Sequence, residues 1–163
     1  MKTVKISLLG AMLAGVLTST PAQAQVSVTP GPNGPITDAV LVNPGTILRR
    51  GVRVIRTLRE RCVNRNEQVT AECLAAIHFL KSQGCHDLAV RVARICCQYI
   101  QRFSTYCINR IQQICIRCRA ALSMAGAPHH MFATLQDECD AAIMLIRESA
   151  RDSCVALREA VSG

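Results

Sequence analysis

RICCQYIQRFSTYCINRIQQICIRC, residues 94–118, carries five cysteines in twenty-five residues with neither glycine nor proline. Nothing in it breaks a helix, so it reads as one helix bearing thiols on more than one face. Cys85, Cys96, Cys107 and Cys118 recur every eleven residues. Eleven residues turn a helix three times plus about 20°, so these four form one slowly drifting stripe. Cys97 and Cys115 lie about 100° from Cys96 and form a second stripe. Two stripes of cysteine on one helix call for two neighbouring helices.

Those neighbours are legible on either side. Between Pro44 and Pro128 there is no proline, and from residue 46 onward the only internal glycines are Gly51, Gly84 and Gly126. With three Phe, two Tyr, no Trp and no sustained alternation, strand signals are absent. Setting Cys62 at zero, Ile55, Leu58, Val69, Cys73, Ala76 and Leu80 fall within about 40° of it, one apolar helical face. Phe132, Leu135, Cys139, Ala142, Ile146 and Leu157 form a similar face further on. Gly84 suits the end of the first helix, Gly126 the end of the second, and Pro128 the opening of the third. Thr46 is the expected cap of the first helix, and Asp87 sits in the first turn of the second. The expectation is an all-α fold, an antiparallel up-down-up bundle of three long helices at about 46–82, 86–124 and 129–161. The polar interval NRNEQ (64–68) offers an alternative of four helices, broken near 64–67 with Asn66 as an N-cap. The apolar face keeps its phase across that interval, which favours continuity.

Facing positions across a tight helical hairpin share a constant index sum, about twice the residue number of the turn: about 168 for a turn at 84 and about 252 for one at 126. Cys62 with Cys107 and Cys73 with Cys96 both give 169, Cys97 with Cys154 gives 251, and Cys115 with Cys139 gives 254. These four pairs are the expected disulfides. Cys85 and Cys118 remain over. They are separated by about 50 Å of helix, so they are expected to be free, to bridge two chains in a disulfide-linked homodimer, or to bind metal. The segment 62–77 (CVNRNEQVTAECLAAI) also aligns with 107–122 (CINRIQQICIRCRAAL), which suggests a duplicated helical unit.

The N-terminus bears on compartment. A basic head, MKTVK, precedes the apolar ISLLGAMLAGVLT and a small-x-small site at Ala22 and Ala24. This is the pattern of a secretory signal cleaved after Ala24, with a secreted or periplasmic destination. Ten cysteines, all beyond that point, fit an oxidising compartment and a disulfide framework. Residues 25–45 hold Pro30, Pro32, Pro35 and Pro44 among glycines and read as a flexible arm; 46–163 is the cysteine-rich helical domain. Without residues 1–24 the chain has 17 basic and 11 acidic residues, a net +6. Such a surplus favours anionic partners in general, such as envelope components.

Three chemistries merit residues by number. Cys118, Met124, His129, His130 and Met131 cluster in sequence around the second turn and include soft ligands suited to Cu(I), with zinc the other option. Arg49, Arg50, Arg53 and Arg56 supply a basic stripe on the first helix for a polyanion or anionic surface. No aromatics interleave with it for base stacking, so no specific nucleic acid is expected. CIRC (115–118) lies mid-helix, away from the helix N-terminus that activates a redox thiol. No phosphate loop, HExxH or GxSxG is present, and no catalytic residue or cofactor is expected. The leading expectation is an exported, non-enzymatic structural or interaction module. The alternatives are a copper or zinc storage bundle of reduced cysteines and a binder of anionic surfaces.

Overall fold

The computed structural model describes residues 43–162; the expected signal (1–24) and the arm as far as residue 42 lie outside the described residues. The three helices are α1 (Pro44–Ser82), α2 (His86–Met124) and α3 (His129–Ser162), and each packs against both others. At 39, 39 and 34 residues they form rods of up to about 58 Å.

Both reversals are built alike. At the first, Gly84 adopts φ 72°; its N–H donates to the Lys81 carbonyl and the Cys85 N–H to the Leu80 carbonyl, both at 2.9 Å. At the second, Gly126 adopts φ 63°, donating to Ser123 (3.1 Å) while Ala127 donates to Leu122 (3.0 Å). These paired bonds form a Schellman motif, which satisfies the last carbonyls and needs a residue free to enter the left-handed region. α1 starts two residues before Thr46. Asn43 caps it, its side-chain oxygen accepting from the Gly45 N–H at 2.8 Å, and Pro44 begins the first turn. Proline suits that position because its missing N–H would have no helical partner there. Thr46 instead accepts a bond from the Arg49 guanidinium at 3.4 Å.

α1 is unbroken from Pro44 to Ser82, so the four-helix alternative does not hold. Asn66 is no N-cap. It is 1% exposed, and its Nδ2 donates to Ser104 Oγ on α2 (3.0 Å) and Ser149 Oγ on α3 (3.3 Å). One polar layer from all three helices satisfies the amide in the core, so the helix has no reason to end there. The layer separates two apolar clusters. One centres on Val69, Ile77, Ile100 and Leu157, the other on Ile55, Ile111, Leu135 and Ile146.

The buried face of α1 comprises Gly51, Ile55, Cys62, Asn66, Val69, Cys73 and Ile77. It is centred roughly 15° round from Cys62, which leaves Leu58 at the edge and Ala76 exposed. α1 and α3 run parallel. Arg56 meets Glu138, Asn66 meets Ser149 and Lys81 Nζ meets the Ala160 carbonyl, at separations of 82, 83 and 79 residues.

Candidate functional site

The sulfur atoms organise the molecule. Cys62–Cys107 and Cys73–Cys96 join α1 to α2; Cys97–Cys154 and Cys115–Cys139 join α2 to α3. Their Cα separations of 5.1 to 6.5 Å lie in the range a disulfide spans. The index sums select the same four pairs. Each hairpin has a nested pair of bridges, and residues 97–107 lie inside the outer loop of both. The middle helix is therefore fixed on two sides, with eight of the ten cysteines used.

Cys85 and Cys118, alike as leftovers in the sequence, differ in setting. Cys85 is exposed at the first turn. Cys118 is half-buried under α1, against Gly51: a Cβ built on Gly51 would stand 2.6 Å from the Cys118 Sγ. Gly51 thus provides the groove that accepts this thiol where α1 and α2 approach closely. Burial pushes the Cys118 thiol up from its ordinary pKa of 9.0, making it a poor nucleophile at neutral pH.

The donors around the second turn sit in different settings. Met124 is 84% exposed and lies about 120° round α2 from Cys118. Met131 packs against the apolar cluster, while His129 and His130 are exposed. Among the described residues, no three His, Cys, Asp or Glu side chains form a group able to hold a metal ion.

Arg49, Arg53 and Arg56 do share a side, lining a groove of about 550 Å³ between α1 and α3. Arg50 is exposed but not part of it. Glu60 and Glu138 also line this groove, and Arg56 is committed to Glu138 through a two-pronged ion pair. The Arg56 hydrogen bond, aided by the charges of Arg56 and Arg59, holds the Glu138 carboxyl below its ordinary range. Of the four arginines of the stripe Arg56 is thereby neutralised, while Glu60 engages Arg59 at 3.3 Å.

A second groove, of about 500 Å³, lies between α2 and α3 and escaped the sequence reading. Arg147, Arg151 and Arg158 line it opposite Gln101, Thr105, Asn109 and Gln112, with no carboxylate in the lining. Among the described residues only the flanking Asp152 engages one of them, 3.5 Å from Arg151 Nε. The i, i+4, i+11 spacing of these arginines on one helical face was the available signal. No helix among the described residues is long and apolar enough to cross a membrane. No protein-family model, characterised protein or solved structure matches this chain.

Proposed function

We propose that this chain is an exported, non-enzymatic interaction module: a disulfide-locked helical bundle that presents fixed outer surfaces in an oxidising compartment. The observation that carries this reading is the double stapling of α2, whose Cys96, Cys97, Cys107 and Cys115 are all bonded to flanking helices. Disulfides persist outside the reducing cytosol, and the sequence of residues 1–24 supplies a matching export signal. A core of few aromatics gains from covalent restraint, each bridge contributing about 2–4 kcal/mol. Rigid surfaces lose little entropy on docking, which suits recognition.

Thiol titration of the purified chain beginning at Gln25, under denaturing conditions, tests this. Two or fewer reactive thiols are expected. Eight or more, accompanied by bound copper or zinc, would replace this reading with metal storage.

A second reading, binding of anionic envelope components or other polyanions, is favoured by the α2–α3 groove rather than by the first helix. Three arginines without a lining carboxylate attract anions more strongly than the α1–α3 groove, where Glu60 and Glu138 oppose them. Retention on an immobilised sulfated polysaccharide, eluted with salt, discriminates the two. Replacing Arg147, Arg151 and Arg158 by Gln should weaken retention more than replacing Arg49, Arg50 and Arg53. Equal losses would point to net charge alone.

A further inference from the structure

The outer face of α2 bears an apolar seam that the other described residues leave largely exposed. Leu88, Ile95 and Tyr106 are 48%, 62% and 60% exposed; Tyr99 is 38% exposed and stacks on Phe103, and Val92 is half-buried, packed on its inner side against the core. Their spacing is heptad-like: Leu88 and Ile95 fall at d positions, Val92, Tyr99 and Tyr106 at a positions. Carried one residue beyond the helix, to its N-cap, the same count brings Cys85, the exposed free thiol, to the a position that begins the seam. An a/d series on a straight helix drifts about 20° per heptad, which is the drift a left-handed two-helix crossing follows.

We propose that this face of α2 docks a second copy of this chain in parallel, two-fold register, closed at one end by a Cys85–Cys85 disulfide between the copies. The occupant follows from the register. In a parallel two-fold pair every a residue faces its own equivalent, so Cys85 meets Cys85. In an antiparallel pair centred on Ile95 and Cys96, Cys85 would face Tyr106 and no bridge could form. Cys118 cannot substitute, because it lies under α1 against Gly51. The covalent closure rests on the oxidising destination proposed above; the apolar seam does not.

Closure needs an oxidant, here a low-molecular-weight disulfide. One Cys85 thiolate attacks it, forming a mixed disulfide and releasing one thiolate. The second copy's Cys85 thiolate then attacks the Cys85 sulfur, forming the inter-chain bond and releasing the other thiolate. The two protons lost by the cysteines end on the two released thiols, and the small disulfide is reduced by two electrons.

The seam runs from Leu88 to Tyr106, about 27 Å. That is short for an unlinked pair. Arg102 interrupts it at a d position, where two copies place like charges together. The bridge raises the effective concentration of the seam halves and offsets both handicaps. Salt screens the Arg102 pair, so association of the unlinked form should tighten as salt rises.

The test uses the whole chain from Gln25, produced under oxidising conditions. Light scattering should give a dimer mass, non-reducing electrophoresis a covalent dimer, and mass spectrometry of the digest a Cys85–Cys85 peptide. Cys85→Ser should leave a dimer that dissociates on dilution, weakened about tenfold or more. Ile95→Arg with Tyr99→Arg, both at exposed sites, should keep the four internal bridges and cut covalent dimer yield about tenfold. A wild-type monomer with its internal bridges intact overturns the proposal. So does a dimer joined through Cys118, or a covalent dimer indifferent to the two arginines. Missing internal bridges would defeat the oxidising-destination reading instead, and dimer mass in reductant, with its sensitivity to the two arginines, would then decide the seam.

Discussion

Cys96 and Cys97 are consecutive in the chain, yet Cys96 is bonded to Cys73 on α1 and Cys97 to Cys154 on α3. One residue turns a helix by about 100°, so a CC pair can address two neighbours at the same height. In a bundle of three mutually packed helices the two neighbours of any helix subtend about 60°, so side chains about 100° apart straddle the core and reach one neighbour each. The dipeptide thus fixes α1 and α3 about one level of α2.

The two bridges at this level close loops of different length, 23 residues for Cys73–Cys96 and 57 for Cys97–Cys154. Removing either pair by alanine substitution should cost about 2–4 kcal/mol, and because Cys115–Cys139 stays closed inside the longer loop the two costs should differ by well under about 1 kcal/mol. Denaturant unfolding of the two double variants measures this. Equal stability of wild type and either variant would show that the bridges do not restrain the unfolded chain.

Gly51 and Cys118 form a complementary contact. Gly51→Ala should destabilise the bundle by about 1–3 kcal/mol, because the new methyl meets the Cys118 sulfur at the close approach of α1 and α2. Adding Cys118→Ala should recover most of the loss in a double-mutant cycle. Alkylation of Cys118 in the folded chain should be slow at neutral pH and rise only above the ordinary thiol range, since burial disfavours its thiolate. A loss that Cys118→Ala does not relieve would assign the clash elsewhere.

Asn66 joins all three helices through Ser104 and Ser149. Asn66→Ala should destabilise by about 1–3 kcal/mol, because it strands hydroxyls within the core. Asn66→Leu with Ser104→Ala and Ser149→Ala removes the whole layer and should recover stability. Thermal and denaturant unfolding of both variants decide between an unsatisfied-group cost and a simple loss of volume.

The Arg56–Glu138 ion pair ties α1 to α3, which share no disulfide. Arg56 holds the folded-state pKa of Glu138 below its ordinary value. The resulting stabilisation is complete above the ordinary carboxylate range and disappears as pH falls through the depressed value. Arg56 is largely exposed, so the effect is small and should fade in high salt. Comparing Glu138→Gln with wild type across pH should show curves that converge in acid. A gap that widens in acid would contradict this sign.

Helix positions, both turns and the sulfur ladder were legible in the sequence because they depend on local rules: breakers at Gly84 and Gly126, helical phase and constant index sums across short loops. Asn66 was misleading as a candidate cap because its partners, Ser104 and Ser149, are 38 and 83 residues away. Asn43 was missed as the first cap because Thr46 offered the same chemistry inside what proved to be the helix. The arginines of the α2–α3 groove went unremarked because clustering along the chain drew attention to residues 49–56. That no carboxylate lines the groove beside them depends on which helices flank them.

By itself, then, the sequence determined three rods, their two reversals and the partners of eight cysteines, since antiparallel neighbours joined by short turns leave little choice of register. Only the tertiary structure decided what the parallel pair α1 and α3 share, because no turn links them directly. It also distinguished the two leftover thiols. Cys85 is open to solvent and Cys118 is packed on a glycine 67 positions earlier in the chain, a difference set by the approach of two helices rather than by either residue's neighbours in sequence.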